Sequence, residues 1–159
     1  MDISDFNITI VGLGLLGGSM AMALKELKPR NLWAVDNDES AIEFAEKSSI
    51  ISKGYINSKI PLEDSDIVII CLYPNQIVKY IKGNMNFFKK GAIITDIAGI
   101  KSGIVKEIND IKGKNFEFIS GHPMAGNEHK GIRYSNKEMF KNANYIITPS
   151  GDNKEENIE

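Results

Sequence analysis

Two rhythms of apolar and polar residues run along the chain. Short continuous apolar runs, Ile8 to Val11, Leu32 to Val35, Ile67 to Leu72 and Ala92 to Thr95, alternate with longer stretches whose apolar positions recur at helical spacing. The runs predict strands buried on both faces, with Ile67 to Leu72 the strongest. Between them the spacing predicts helices over Leu15 to Leu27, Glu39 to Lys47, Asn75 to Phe88 and Lys101 to Ile111. Ser40 or Asp38 can cap the second helix, and Pro74 suits the first turn of the third. The pattern fades between Ser48 and Asp66, where Gly54-Tyr55-Ile56 is the one short strand candidate. Later come a strand over Phe116 to Ser120, a loop over Gly121 to Gly131, a short helix over Asn136 to Lys141 and a last strand over Tyr145 to Thr148. Strands alternating with helices predict an α/β fold with a doubly wound, mainly parallel sheet and helices on both faces. Residues 1–149 then form one domain, and the polar, acidic residues 150–159 form a linker or the start of a helix leading to a further domain.

The sharpest break in the pattern follows Val11, where the apolar run gives way to Gly12, Gly14 and Gly17. This is the G-x-G-x-x-G spacing of a dinucleotide-binding turn, the fingerprint of a Rossmann-type domain. In that reading Gly12 makes the turn, Gly14 admits a pyrophosphate, and Gly17 lets the next helix pack close to its strand. The helix beginning at Leu15 and Leu16 points free N–H groups and its positive end at the phosphates. The spacing alone also fits a glycine-rich turn in another α/β protein. Asp36 adds context, about twenty residues on at the end of the second apolar run, where a ribose-binding acid belongs. Its neighbours Asn37, Asp38 and Glu39 include no cation for a 2′-phosphate, so NAD is expected rather than NADP.

Composition narrows the class. A chain of 159 residues suits one domain with a substantial core. A net charge of −2 argues against a nucleic-acid partner, which draws on a basic excess. No apolar run is long enough to span a membrane, and the amino-terminus lacks a signal-peptide pattern, so a cytoplasmic protein without a membrane partner is expected. The single cysteine excludes an internal disulfide, and no metal-ligand cluster is visible, so no metal is expected. Cys71, inside an apolar run, reads as a core residue.

In open parallel sheets ligands bind beyond the carboxyl ends of the strands. The residues there are the glycine turn, Asp36, the segment Leu72, Tyr73 and Pro74, the segment Thr95 to Lys101 with Ile97 and Ala98, and the segment Gly121 to Glu128. Only the last brings a group that titrates near neutral pH. His122 can accept a proton from a substrate hydroxyl as hydride leaves the same carbon. It reads equally as a loop histidine fixed by Gly121 and Pro123.

Three segments together resemble the prephenate dehydrogenase family in its nucleotide domain: Val11-Gly-Leu-Gly-Leu-Leu-Gly-Gly-Ser19, Thr95-Asp-Ile-Ala-Gly-Ile-Lys101 and Gly121-His-Pro-Met-Ala-Gly-Asn-Glu128. The resemblance implies NAD-dependent oxidative decarboxylation of prephenate to 4-hydroxyphenylpyruvate in tyrosine biosynthesis. It implies His122 as the catalytic histidine on the ring hydroxyl, and Gly99, Lys101, Gly126, Asn127 and Glu128 on the substrate side. Arogenate dehydrogenase, a β-hydroxyacid dehydrogenase and a non-catalytic NAD-sensing module are the rival readings. The family pattern T-D-x-x-S-x-K departs here at Gly99, so the serine hydroxyl is absent or passes to water or to Ser102. Asn127 and His129 stand where a small hydroxyl residue and a lysine are common. His129 reads as a substrate-side cation or as a solvated loop residue. Prephenate has two carboxylates, for which Lys101, Lys130 and Arg133 are the nearby cations. The resemblance further implies a helical carboxyl-terminal domain that makes a homodimer and completes the substrate site.

Overall fold

The computed structural model describes residues 2–158, the side chain of Ser102 excepted, so Met1, Glu159 and any part played by the Ser102 hydroxyl lie outside the described residues. Six strands form one parallel sheet: β1 (Asn7–Val11), β2 (Asn31–Val35), β3 (Lys53–Tyr55), β4 (Ile67–Ile70), β5 (Ile93–Asp96) and β6 (Glu117–Phe118). Their spatial order is β3-β2-β1-β4-β5-β6. The order reverses between β1 and β4, which opens a crevice above the carboxyl ends of these two strands. The helices are α1 (Leu15–Lys25), α2 (Glu39–Lys47), α3 (Lys59–Asp64), α4 (Pro74–Asn84) and α5 (Ser102–Asn109). Helices α1 and α2 cover one face, burying Ile8, Ile10, Ala21, Leu32, Ala34, Ala41 and Ile42 together. Helices α3, α4 and α5 cover the other, where Leu62, Ile77, Ile81, Ile104 and Ile108 meet Val11, Val68, Ile70 and Ile94. The continuous apolar strands follow from this double cover. Each fully buried Ile contributes about 1.5–3 kcal/mol, so the central strands anchor the loops at their ends.

Two sequence expectations are corrected here. The weak stretch from Ser48 to Asp66 contains α3, six residues of the sequence Lys-Ile-Pro-Leu-Glu-Asp with only Pro61 and Leu62 buried. Such a helix shows too few turns to display a period, and Pro61 masks it further. The expected strand Phe116 to Ser120 is split. Pairing with β5 stops at Phe118, and Ser120–Pro123 becomes β7 of a separate two-stranded sheet, antiparallel to β8 (Tyr145–Thr148). His122 therefore sits on a strand rather than in a loop. Residues 150–158, which include a 3-10 turn over Glu155–Asn157, pack back on the sheet. Asn153 Nδ2 donates to the Phe118 carbonyl at 2.9 Å, while the Glu117 carboxylate accepts the Lys154 N–H and Asn157 Nδ2, each at 2.7 Å. This covers the outer edge of β6, the exposed flank of the sheet.

The remaining elements lie close to expectation. Asp38, one of the two candidates, caps α2 by accepting the Ser40 and Ala41 N–H groups. Pro74 is in the first turn of α4. Residues Lys137–Phe140 form a 3-10 turn with Asn136 as its cap, packed on α1. Among the described residues no helix is long and apolar enough to cross a membrane.

Candidate functional site

The glycine turn is built from three different demands. Gly12 has φ +96°, a left-handed conformation, and a Cβ there would lie 2.8 Å from the Cys71 carbonyl oxygen. A Cβ on Gly17 would drive into the Gly12 carbonyl oxygen, so its hydrogen is what lets α1 sit against the turn. Gly14 is the opposite case. Its φ is −73°, ordinary for any residue, it is exposed, and an added Cβ would meet nothing within 4 Å. Neither conformation nor packing in this chain requires a glycine at that position. The first intrahelical bond of α1 runs from the Gly18 N–H to the Gly14 carbonyl, so the N–H groups of Leu15, Leu16 and Gly17 precede it. Gly14, the N-cap, has no side chain to take them. An uncapped helix start with an open glycine before it is a cradle for an anion that approaches the backbone closely.

Asp36 lies at the carboxyl end of β2, half-buried. Its Oδ2 accepts the Leu13 N–H from the glycine turn and its Oδ1 accepts the Asp38 N–H at 2.8 Å. The carboxylate thus fixes the turn while keeping further lone pairs for a diol. Leu72 packs against Gly12, with Cδ2 3.1 Å from where a Cβ would stand there, and Tyr73 is 67% exposed. Tyr73 and Pro74 form the head of α4 beside the turn. Cys71 is half-buried and packs against the core on the α1–α2 face. Burial of its thiol, with the nearby Asp96 charge, pushes its pKa up to about 12, so it has no thiolate chemistry at neutral pH.

The second half of the site gathers at the end of β5. Asp96 is fully buried. Its Oδ1 accepts the Ser120 hydroxyl at 2.7 Å, and its Oδ2 accepts the Ala98 N–H at 3.0 Å and Lys101 Nζ at 2.8 Å. Lys101 Nζ also donates to the Gly121 carbonyl. Burial lowers the Lys101 pKa, and the Asp96 carboxylate pulls it back up. Expected as a substrate-side cation, Lys101 has two of its three N–H donors committed within the domain, and it ties β7 to β5. Tyr145 of β8 lies across Gly121, where any side chain would collide with its hydroxyl. Burial raises the Tyr145 pKa, partly offset by the Thr95 hydroxyl.

His122 stands between these groups, half-buried. Its Nδ1 is 3.3 Å from the Ile97 carbonyl oxygen. A carbonyl can only accept, so the contact suits a ring with Nδ1 as the donor, which leaves Nε2 as the acceptor. The ring rests against Gly99, where a Cβ would lie 3.3 Å from Cε1 and 3.5 Å from Nε2. A Cβ there would press lightly on the imidazole, a contact that glycine avoids. Ile97 and Ala98 are buried between this ring and Asp96.

The other expected residues are less closely drawn in. Gly126, Asn127 and Glu128 are exposed, and Asn127 Oδ1 accepts the His129 N–H at 2.8 Å. His129 stacks on Tyr134 with ring centroids 4.7 Å apart, and Lys130 is exposed. The Arg133 guanidinium lies 4.7 Å above the Phe44 ring on α2, which takes it away from β5. Sequence reasoning assigned no role to Asp96, Ser120 or Tyr145. The Asp96–Lys101 spacing inside one motif was the only signal for the first, and the other two are tied to it only through the fold. Two surface hollows, of about 460 and 480 Å³, lie on the β2–α2–β3 side and are lined by neither the glycine turn nor His122.

A family model described as prephenate dehydrogenase, nucleotide-binding domain, matches residues 20–159, a span that begins just after the glycine turn. The prephenate dehydrogenase of Lactococcus lactis is 33% identical over 147 residues, covering 89% of this chain and 40% of that protein. A solved structure of prephenate dehydrogenase from A. aeolicus, in complex with hydroxyphenyl propionate and NAD+, superposes with a TM-score of 0.87 at 28% identity, covering 99% of this chain and 55% of that one. Synechocystis arogenate dehydrogenase superposes equally, with a TM-score of 0.87 at 28% identity over 95% of this chain and 52% of that one. The chain thus spans between two fifths and just over half the length of these relatives.

Proposed function

The chain belongs to the prephenate dehydrogenase family, as its nucleotide-binding domain, and from that membership we propose that it holds NAD and supplies the proton acceptor for oxidative decarboxylation of prephenate to 4-hydroxyphenylpyruvate in tyrosine biosynthesis. The observation that carries the reading is the open Gly14 before an uncapped α1, on the same sheet edge as a histidine whose Nδ1 lies 3.3 Å from the Ile97 carbonyl oxygen, a contact that would leave Nε2 as an acceptor. The N–H groups of Leu15, Leu16 and Gly17 would hold the pyrophosphate, and Asp36 the adenine-ribose hydroxyls. Leu72, Tyr73, Pro74, Ile97 and Ala98 would wall the crevice. NAD, when bound, supplies the hydride acceptor.

His122 Nε2 accepts the hydrogen bond of the ring hydroxyl. As hydride leaves the carbon bearing that hydroxyl, the oxygen becomes acidic and Nε2 takes its proton. Loss of carbon dioxide returns an electron pair to the ring, and the imidazolium gives the proton back to what becomes the phenol oxygen. Aromatisation supplies the driving force, so the protein has only to orient the hydroxyl and hold a neutral imidazole against it. Gly99, beside the ring, and the exposed Gly126-Asn127-Glu128 segment are assigned to the substrate side, with the remaining Lys101 N–H. A cytoplasmic homodimer is proposed for the full-length protein on the family resemblance alone.

Arogenate is the second candidate substrate, because the arogenate dehydrogenase structure matches this chain as well as the prephenate dehydrogenase one does. Following NADH formation by the full-length protein with the two substrates side by side separates them. Turnover of neither would leave an NAD-binding module without this chemistry.

Cofactor choice gives a direct binding test on the chain itself. NAD binds more tightly than NADP, since a 2′-phosphate would face Asp36, Asp38 and Glu39. Asp36→Ala lowers NAD affinity about ten- to hundred-fold, the scale of a hydrogen bond to a charged group, and narrows the gap to NADP. The loss includes the freed Leu13 N–H, which loosens the turn itself. Calorimetry showing NADP bound as tightly as NAD by the unaltered chain would overturn the assignment.

A further inference from the structure

Building on the catalytic reading of His122, we propose that Asp96 and Ser120 are positioning residues that fix the tautomer of its imidazole, holding the proton on Nδ1 so that Nε2 is kept as an acceptor.

Asp96 reaches the imidazole through one peptide plane. The Ala98 N–H donates to Asp96 Oδ2 at 3.0 Å. A trans peptide points its N–H and C=O in opposite directions, so anchoring the Ala98 N–H aims the Ile97 carbonyl the other way. That carbonyl is the oxygen 3.3 Å from His122 Nδ1. The same carboxylate fixes the other side of the contact. Asp96 Oδ1 accepts the Ser120 hydroxyl at 2.7 Å, and Ser120 is two residues before His122 on β7, so both side chains leave the same face of the strand. Lys101 Nζ closes the triangle by joining Asp96 Oδ2 to the Gly121 carbonyl. One fully buried carboxylate thus sets both the acceptor and the strand that carries the ring. Asp96 touches neither the imidazole nor the site of chemistry, so it acts through Ile97 and Ser120. All of its buried partners are satisfied, and among the described residues no buried side-chain polar atom lacks one. Removing a single tie therefore leaves an identifiable fault at the others.

The test reads the tautomer by nitrogen NMR of this chain, which has only two histidines to assign. The unaltered chain shows one neutral form of His122, protonated on Nδ1. Ser120→Ala removes one bond without placing a charge out of balance, and it shifts a measurable fraction of His122 to the Nε2-protonated form. Asp96→Asn shifts more. Should Asp96→Asn fail to fold because Lys101 is left unpaired, the double variant Asp96→Asn/Lys101→Met restores charge balance and is read instead. His129, exposed and stacked on Tyr134, stays unchanged and serves as the internal control. In the full-length protein Ser120→Ala lowers kcat about ten-fold, at the low end of what supporting-shell changes cost, with NAD affinity unaltered. An Nε2-protonated His122 in the unaltered chain, or a tautomer that neither Ser120→Ala nor the Asp96 variants move, overturns the proposal. A fixed Nδ1 proton in a full-length protein that turns over neither substrate upholds the positioning and sinks the catalytic reading alone.

Discussion

Replacing His122 with Asn lowers kcat of the full-length protein about a hundred-fold or more, the usual scale for losing a general base. NAD affinity hardly changes, because the groups proposed to hold the dinucleotide are the α1 amides and Asp36, which follow strands β1 and β2. Asn can keep the contact to the Ile97 carbonyl through its amide N–H. What it cannot do is take a proton as the substrate oxygen becomes acidic. In His122→Asn a low residual rate remains, from the binding and orientation that the asparagine leaves intact. If the variant kept near-normal kcat, His122 would be only a residue packed on Gly99. Lys101 and Asp96 carry the neighbouring charges, and their mutual pairing makes them poor substitutes for a base.

The elements legible in the sequence are those whose cause is local. Ile8 to Val11 and Ile67 to Ile70 declare themselves because both faces are buried, and α2 because Asp38 caps an amphipathic stripe. The glycine spacing carried its own geometry: Gly12 and Gly17 stand where the turn and the close packing of α1 require them, and Gly14 leaves open space before α1. What the sequence hid depends on contacts between distant residues. Ser120 lies 24 positions from Asp96, and Asn157 lies 40 from Glu117, so neither the lock on β7 nor the docked tail has a periodic signature. Lys101 illustrates the point. Its motif position suggested a cation for substrate, but burial beside Asp96 made pairing within the domain the stronger demand. The break between β6 and β7 was hidden for a related reason, since Phe116 to Ser120 is uniformly strand-like and only the partner strand changes.

Gly14→Val abolishes NAD binding while leaving the domain folded, and this is the largest effect expected of a single side chain. Position 14 has a φ of −73° and open space where a Cβ would stand, so the isolated chain can absorb the new atoms at little conformational cost. A β-branched residue at the head of α1 leaves the helix bonds intact, since Gly14 supplies only its carbonyl to Gly18. The same open space is what a pyrophosphate must fill to reach the N–H groups of Leu15, Leu16 and Gly17. A valine there keeps the phosphates beyond hydrogen-bond reach, and the helix dipole loses its effect within the first turn. The neighbouring glycines provide the contrast. Gly17→Ala drives a methyl into the Gly12 carbonyl, and Gly12→Ala combines a left-handed φ with a clash on Cys71, so both lower the melting temperature. Thermal unfolding and calorimetry on the three variants therefore separate the roles. Gly14→Val unfolds with the unaltered chain and gives no heat with NAD, while the other two unfold early. A Gly14→Val chain that is folded and binds NAD as the unaltered one does would mean that the turn is not the cofactor site, because no packing or conformational reason for that glycine would then remain.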